Sequence, residues 1–488
     1  MAPAPLDTLI VGAGFSGLGL GIRLKQAGRH GFQVIERAAG VGGTWWANRY
    51  PGAACDIPSL LYSYSFAPNR RWSRLFPQQP EIQAYLAECV EDFGLGPHLR
   101  LATELVALRW HEDQSSWEAT LRAADGTLLQ QHARSVVIAT GALSKPRTPD
   151  IEGLQDFGGR LLHTADWDRS LPLEGQRIGV IGTGASSIQL VPELAPLAVK
   201  VSVFQRTPAW IMPRHDRPLT AWQRTLCATL PGFGRAWRTG LYWQHEARVA
   251  GFTTRPHWLA RAESLALRHM KKQVRDPALR EALTPRYRMG CKRILISDDF
   301  YPALTRPNVE LVTAPIQRIE PQGVRTADGR LHALDVLVTA TGFDAADAGP
   351  PCPVDGPQGR TLAEAWRHGA SAYLGTLVAG FPNLFFLVGP NTGLGHNSML
   401  QIIESQLNLV LDALRRLDHH PTLGVTEEAH HRFDDEIQRR LTSTVWATGG
   451  CRSWYQARDG RITTLWPGST IEFRRRTRRL ALADFHLR

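Results

Sequence analysis

The sequence predicts an α/β fold with two Rossmann-like dinucleotide-binding domains and a helical insertion. Three observations predict it. A short apolar strand, a glycine-rich loop and a helical run occur twice, around GAGFSG at 12–17 and GTGASS at 182–187. Two further β-branched runs, SVVIATGA at 135–142 and DVLVTATGF at 335–343, end in A-T-G, as strands do where a chain crosses between two cofactor domains. Between the second loop and the last strand, residues 216–285 read as helices, with Trp222, Trp237, Trp243 and Trp258 among many arginines. The expected organisation is a first domain over 1–142, a second over 143–342 carrying the insertion at 216–285, and a return to the first over 343–488.

In the first unit DTLIVG is the strand, AGFSGLGLGIRLKQAG the helix and FQVIE the next strand. Gly12 permits the tight turn, Gly14 lets backbone approach a pyrophosphate, and Gly17 lets helix and strand pack closely. The helix N-terminus offers N–H donors to the phosphates. Glu36 closes the second strand, near the offset of about twenty residues at which a carboxylate meets ribose hydroxyls. That carboxylate would repel a 2′-phosphate, so this unit suits FAD.

In the second unit RIGVIG leads into TGASSIQLVPELA and returns through KVSVFQR. Gly182, Thr183, Gly184, Ala185 and Ser186 form the loop, and Ser187 stands at the third glycine position, which loosens the packing slightly. This strand ends in Gln205-Arg206-Thr207 instead of a carboxylate, and an arginine there can pair with the 2′-phosphate of NADPH. One such loop is weak evidence. Two, with opposite charge at their strand ends, point to a protein that binds both cofactors.

The bulk numbers set limits. Hydrophobic residues at 43% and charged residues at 21% describe an ordinary globular chain of two or three domains. No apolar run reaches the roughly 18 residues of a membrane span. The N-terminal MAPAPLDTLIVGAG lacks a basic segment before a separate apolar one, so no signal peptide is read and the cytoplasm is expected. The six cysteines, at 55, 89, 227, 291, 352 and 451, include no C-x-x-C pair and no zinc spacing. They are read as reduced structural thiols, and no metal is expected. Net charge is +11, partly from Arg474, Arg475, Arg476, Arg478 and Arg479, read as a solvated terminal face. No nucleic acid is expected, and oligomeric state is left open. The four tryptophans of the insertion are read as its aromatic core, with a cap over the substrate cavity or a lipid-facing surface as the alternatives.

Residues 157–168, FGGRLLHTADWD, fit F-x-G-x-x-x-H-x-x-x-W-D without a mismatch. Together with GGTWWANRYPGAACD, FQRTP, CKRILISDDF, ATGFD, GPNTGLGHNS and SWY, in that order, they make the chain resemble type I Baeyer–Villiger monooxygenases over nearly its whole length. These are flavin enzymes that insert one atom of O2 beside a ketone carbonyl. The fingerprint ends in Trp167-Asp168, where related N-oxygenating enzymes carry a different aromatic residue.

The resemblance implies the following roles. NADPH reduces FAD, O2 adds at the flavin C4a carbon, and the resulting peroxyflavin anion attacks a ketone to give an ester or lactone. Arg293 stabilises that anion, and Asp56 pairs with Arg293 and orients it. Gly43, Thr44 and Trp45, with Gly42, wrap the flavin, and Tyr62 and Leu105 complete the FAD-binding set. Lys292 and Arg206 hold the 2′-phosphate, and Trp454 contacts the nicotinamide-side ribose of a retained NADP+. His163, Phe157 and Trp167 are read as structural parts of an interdomain linker, and His396 as close to the flavin through its loop backbone. After SWY the run QARDGRITTLWPGST departs from the G-A-N-I-P-G-K of cyclic-ketone enzymes. An apolar ketone is the expected substrate. N- or S-oxygenation on the same fold is the alternative, and a non-catalytic flavin sensor a remote one. A disulfide reductase is weakened by the missing cysteine pair.

Overall fold

The computed structural model describes residues 5–346, 352–457 and 459–488. The first four residues of the stretch read above for a signal lie outside it, as does Arg458 of the run after SWY.

The first β-α-β unit forms as its pattern predicts. Strand Leu6–Val11, helix Phe15–Gln26 and strand Phe32–Ile35 follow in order. Leu6–Val11 pairs in parallel with Phe32–Ile35 on one side and with Leu128–Ile138 on the other. Strands Glu104–His111 and Ser116–Arg122 extend this sheet antiparallel, through alternating buried and open positions. The sheet is completed from far along the chain: Val354–Asp355 pairs with Glu104–His111, and Leu384–Phe386 pairs with Leu128–Ile138. Helix Met399–Leu417 then packs against helix Phe15–Gln26 in the main core, presenting a long buried face.

The second sheet is wholly parallel, in the order Val309–Val312, Lys200–Phe204, Arg177–Ile181, Val336–Thr339, Arg160–His163. Its central strands are buried on both faces, which fits their β-branched runs. The fingerprint supplies its edge strand, Arg160–His163. The chain therefore leaves the first sheet after Ile138 and re-enters it at Val354.

Between Lys200–Phe204 and Val309–Val312 lie the helices Ala221–Thr229, Pro231–Glu246, Val249–Phe252, Leu259–Gln273 and Pro277–Leu283. The expectation that their tryptophans form an aromatic core is corrected at three of four positions. Trp237 packs against the main core, whereas Trp222, Trp243 and Trp258 stand exposed. The basic terminal run is also only partly a solvated face. Arg476 is ion-paired to Glu436, and Arg474 bonds Gln401 and lies over the Tyr242 ring.

Gly17 faces Gly12 so closely that a Cβ would lie 1.8 Å from the Gly12 carbonyl oxygen. Backbone cannot yield there as a flexible side chain could. Gly17→Ala is therefore expected to destabilise by about 1–3 kcal/mol, seen as a lowered midpoint in thermal denaturation. The matching position of the second unit has room for a side chain: Ser187 is fully buried there, and among the described residues its hydroxyl has no partner.

Candidate functional site

Two glycine cradles face a shared segment. Gly12 turns with φ +111°, and Gly14 begins helix Phe15–Gln26 with no side chain bonded to its first-turn N–H groups. Opposite, Gly43 has φ +54°, and a Cβ there would lie 3.0 Å from the Gly14 Cα. Side chains on either strip would fill the space, so the residues fit a dinucleotide whose pyrophosphate rests on bare backbone. Glu36 accepts from the Ala13 and Ala38 N–H groups, at 2.9 Å each, one on each oxygen. The carboxylate is thus aimed by backbone, and its remaining lone pairs are left for ribose hydroxyls. Thr103 donates its N–H to the Glu36 carbonyl, which places Leu105 beside this strand end, buried in its core.

The second cradle repeats the geometry. Gly182 turns with φ +114°, and Gly184 begins helix Ala185–Leu194, again without a side-chain cap. Thr183 fastens the loop by donating its hydroxyl to the Thr207 carbonyl at 3.0 Å. Gln205 points elsewhere, its amide donating to the Ala282 carbonyl at 2.7 Å, so it braces the helical insertion. Arg206 is exposed, and Lys292 lies over the Tyr287 ring at 5.1 Å. Burial, and next the positive charge of Arg206, pull the Lys292 ammonium below its ordinary value. Two cations gathered at one strand end are what a 2′-phosphate requires.

The segment 42–56 joins the cradles. Beyond Gly43 and Thr44, Trp45 donates its indole N–H to the Tyr62 hydroxyl at 3.0 Å, and Phe15 meets Tyr62 edge-on at 5.2 Å. Further along, Tyr50 donates to Gln189 of the second cradle's helix at 2.9 Å. Gln189 in turn donates to the Ala54 carbonyl at 2.9 Å. Trp167 of the fingerprint shares the second core with Tyr50 and Ala53, so it buttresses this segment. His163 accepts from the Ala165 N–H and stands 6.2 Å from the Phe343 ring, and burial pulls it below its ordinary value. Phe157 is buried in a separate small core.

Asp56 ends the segment and meets Arg293. The guanidinium donates through Nε to Oδ2 at 2.8 Å and through Nη2 to Oδ1 at 2.7 Å, across 237 residues of sequence. The pair is half-buried. The Asp56 carboxylate, acting against burial, holds Arg293 above its ordinary value. Tyr455 is fully buried beside it; burial pushes the phenol up to about 12, and Arg293 opposes that shift. Burial also holds Tyr62 well above the ordinary phenol value, with Asp56 and Arg293 among the charges it senses. A permanently charged fork therefore stands among neutral phenols next to the first cradle.

Several residues here had no readable signal. Cys291 is bonded to Cys451, which corrects the expectation of six reduced thiols; Cys55, Cys89, Cys227 and Cys352 are free. The bond ties the Lys292–Arg293 loop to the segment that carries Trp454, whose half-exposed ring lies 4.5 Å from that of Tyr455. Glu246, buried at the end of helix Pro231–Glu246, accepts from the Asn397 amide at 2.8 Å, the Thr470 N–H at 2.6 Å and the Thr470 hydroxyl at 2.7 Å. His396 Nε2 lies 3.6 Å away. Burial raises the Glu246 carboxyl, but the neighbouring His396 ring and the bonds from Thr470 and Asn397 outweigh it and bring it down to about 2. His245 places Nδ1 3.1 Å from the His396 carbonyl oxygen, and burial takes it down to about 4. Among the described residues no group of three or more His, Cys, Asp or Glu side chains is arranged to hold a metal ion.

Comparison with known proteins agrees with this geometry. Residues 6–229 match the family described as pyridine nucleotide-disulphide oxidoreductase. A "Baeyer-Villiger monooxygenase" of Pseudomonas aeruginosa is 46% identical over 481 residues, covering 98% of this chain and 90% of that one. Another, from Streptomyces coelicolor, is 47% identical over 482 residues, covering 98% and 92%. Among solved structures, an oxidized steroid monooxygenase bound to NADP superposes with a TM-score of 0.86 at 31% identity, covering 99% of each chain. A cyclohexanone monooxygenase from Rhodococcus sp. Phi1 bound to NADP+ superposes with a TM-score of 0.87 at 30% identity, covering 99% of this chain and 100% of that one.

Proposed function

The chain belongs to the Baeyer–Villiger monooxygenases, and from that premise we propose that it oxidises an apolar ketone to an ester or lactone with Arg293 as its anion-stabilising catalytic residue. FAD and NADPH are its cofactors, and O2 is its co-substrate. When bound, the flavin supplies the redox chemistry: it takes hydride from NADPH and activates O2.

This chain's own residues do the rest. The Gly12–Gly17 loop and Gly43 cradle FAD, and Glu36 takes its ribose hydroxyls. Thr44, Trp45 and Tyr62 wall the flavin side, and Leu105 backs the strand end that carries Glu36. The 182–187 loop holds the pyrophosphate of NADPH, Arg206 and Lys292 hold its 2′-phosphate, and Trp454 lies against its ribose. Segment 42–56 ties the two cradles together, because Gly42 donates its N–H to the Ala13 carbonyl of the first and Ala54 accepts from Gln189 of the second.

The observation that carries the reading is the bidentate Asp56–Arg293 pair beside Tyr62. A planar fork held by a carboxylate keeps one edge for its partner and offers the other. Arg293 can thereby lay positive charge where negative charge develops on oxygen during attack on a carbonyl. Asp56 positions that fork.

The test is turnover of the FAD-loaded enzyme with NADPH, 18O2 and linear, cyclic and aryl ketones. Esters or lactones carrying one labelled oxygen are expected. NADPH oxidation that yields only hydrogen peroxide, with every ketone recovered, would overturn the reading. For the coenzyme site, Arg206→Ala and Lys292→Ala are each expected to raise KM for NADPH about tenfold or more. KM for NADH should hardly move, and steady-state kinetics with both coenzymes checks the contrast.

A further inference from the structure

The helical insertion carries a surface that the chemistry leaves unused. Trp222 is 58% exposed, Trp243 55% and Leu230 51%, although aromatic rings of this size ordinarily find cover. Trp222, on helix Ala221–Thr229, meets Phe233 edge-on at 6.3 Å, which seats it at the N-terminal end of helix Pro231–Glu246. On that second helix Gly232, Ala236 and Trp243 are all exposed, and Ala247 continues their row. Their spacing lays them on one strip of a helix with about 3.6 residues per turn. Arg235 stands at the edge of the strip. The middle of an exposed helical face is thus uncharged and centred on a tryptophan, the reverse of an ordinary solvated face.

The exposed charge along this stretch is mainly positive. Among the described residues 221–275 every exposed charged side chain is an arginine or lysine, Arg224, Arg235 and Arg248 among them; the exposed acids Asp276 and Glu281 come only after it, at helix Pro277–Leu283. The two acids of this span are not exposed: Glu246 is buried in its hydrogen bonds, and Glu263 accepts from the Met289 N–H and faces Arg288. No helix among the described residues is long and apolar enough to cross a membrane.

We propose that this face docks the enzyme on the surface of an anionic lipid bilayer. Tryptophan suits the headgroup region, where its ring is buried and its N–H stays wet. The basic surround is attracted by the negative surface potential, and neither contribution requires a spanning segment. A second copy of this chain fits less well, because symmetric pairing of the face would oppose like charges.

Flotation of the FAD-loaded enzyme with lipid vesicles tests the proposal. At low salt the enzyme should float with phosphatidylcholine vesicles containing phosphatidylglycerol and not with phosphatidylcholine alone. Raising the salt should release it. Trp243→Ser should lower the bound fraction about tenfold, and Arg235→Glu about fivefold or more. Both variants should keep full ketone turnover in solution, because neither residue touches the catalytic site, and that separates failed docking from misfolding. Equal binding to both vesicle types would overturn the proposal, as would unchanged binding of Trp243→Ser. Absence of vesicle binding together with a dimer that Trp243→Ser dissociates, read by sedimentation velocity, would assign the face to self-association and overturn it too.

Discussion

Arg293→Ala is expected to lower ketone oxygenation by about 10²–10³-fold, while the rate at which NADPH reduces the flavin changes little. In the proposed role the guanidinium has no part in hydride transfer. That role places its charge where oxygen becomes negative, so its loss would release that oxygen as hydrogen peroxide. The measurement is a pair of rates on one sample: flavin bleaching under anaerobic NADPH, and ester formation in air. A variant that keeps its ester rate would remove Arg293 from the chemistry. Arg293→Lys should recover only part of the loss, because an ammonium cannot reproduce the two-point contact with Asp56 at 2.8 and 2.7 Å. Asp56→Ala should be damaging for a different reason. It leaves a half-buried cation without its partner, so stability should fall along with turnover.

Glu246→Ala is expected to lower stability by about 3–5 kcal/mol. Removing the carboxylate strands the Asn397 amide and both Thr470 donors in a buried place. It also unfastens the insertion from the loops at 396–397 and 470. Thermal denaturation of the FAD-loaded variant checks it; a midpoint like that of the parent would mean that water serves the site as well. Acid should act on the same place. His245 is held at about 4 against an ordinary 6.5, so the unfolded chain takes up its proton first and stability drains away as pH falls from about 6.5 to 4. Glu246 is held at about 2 against 4.5, so its contribution is lost below about 4.5. Both run in one direction. The melting midpoint should therefore decline steadily with acidity from about pH 6.5, and His245→Gln should flatten the upper part of that decline.

Local backbone demands account for what could be read beforehand. Gly12, Gly17 and Gly182 lie where turn and close packing forbid a side chain, and such demands show in a few consecutive letters. Arg293 and Asp56 became readable through resemblance, since nothing in a sequence separation of 237 says that they meet. Glu246 gave no signal because WQHEAR looks like any polar helix turn until Thr470 and Asn397 are folded against it. The tryptophans misled for a related reason. Aromatic residues usually find cover, and only the assembled helices reveal that Trp222 and Trp243 do not. Cys291 and Cys451, 160 residues apart, had no local pattern to betray them.

The bond between those two cysteines closes a covalent ring. Traced from Cys291, the ring runs through Val309–Val312 and Val336–Thr339 of one sheet, then through Leu384–Phe386 of the other, and returns at Cys451. Both halves of the molecule are beads on that ring. Should they swing apart to exchange coenzyme, the wall bearing Arg293 must travel with the C-terminal arm that carries Cys451.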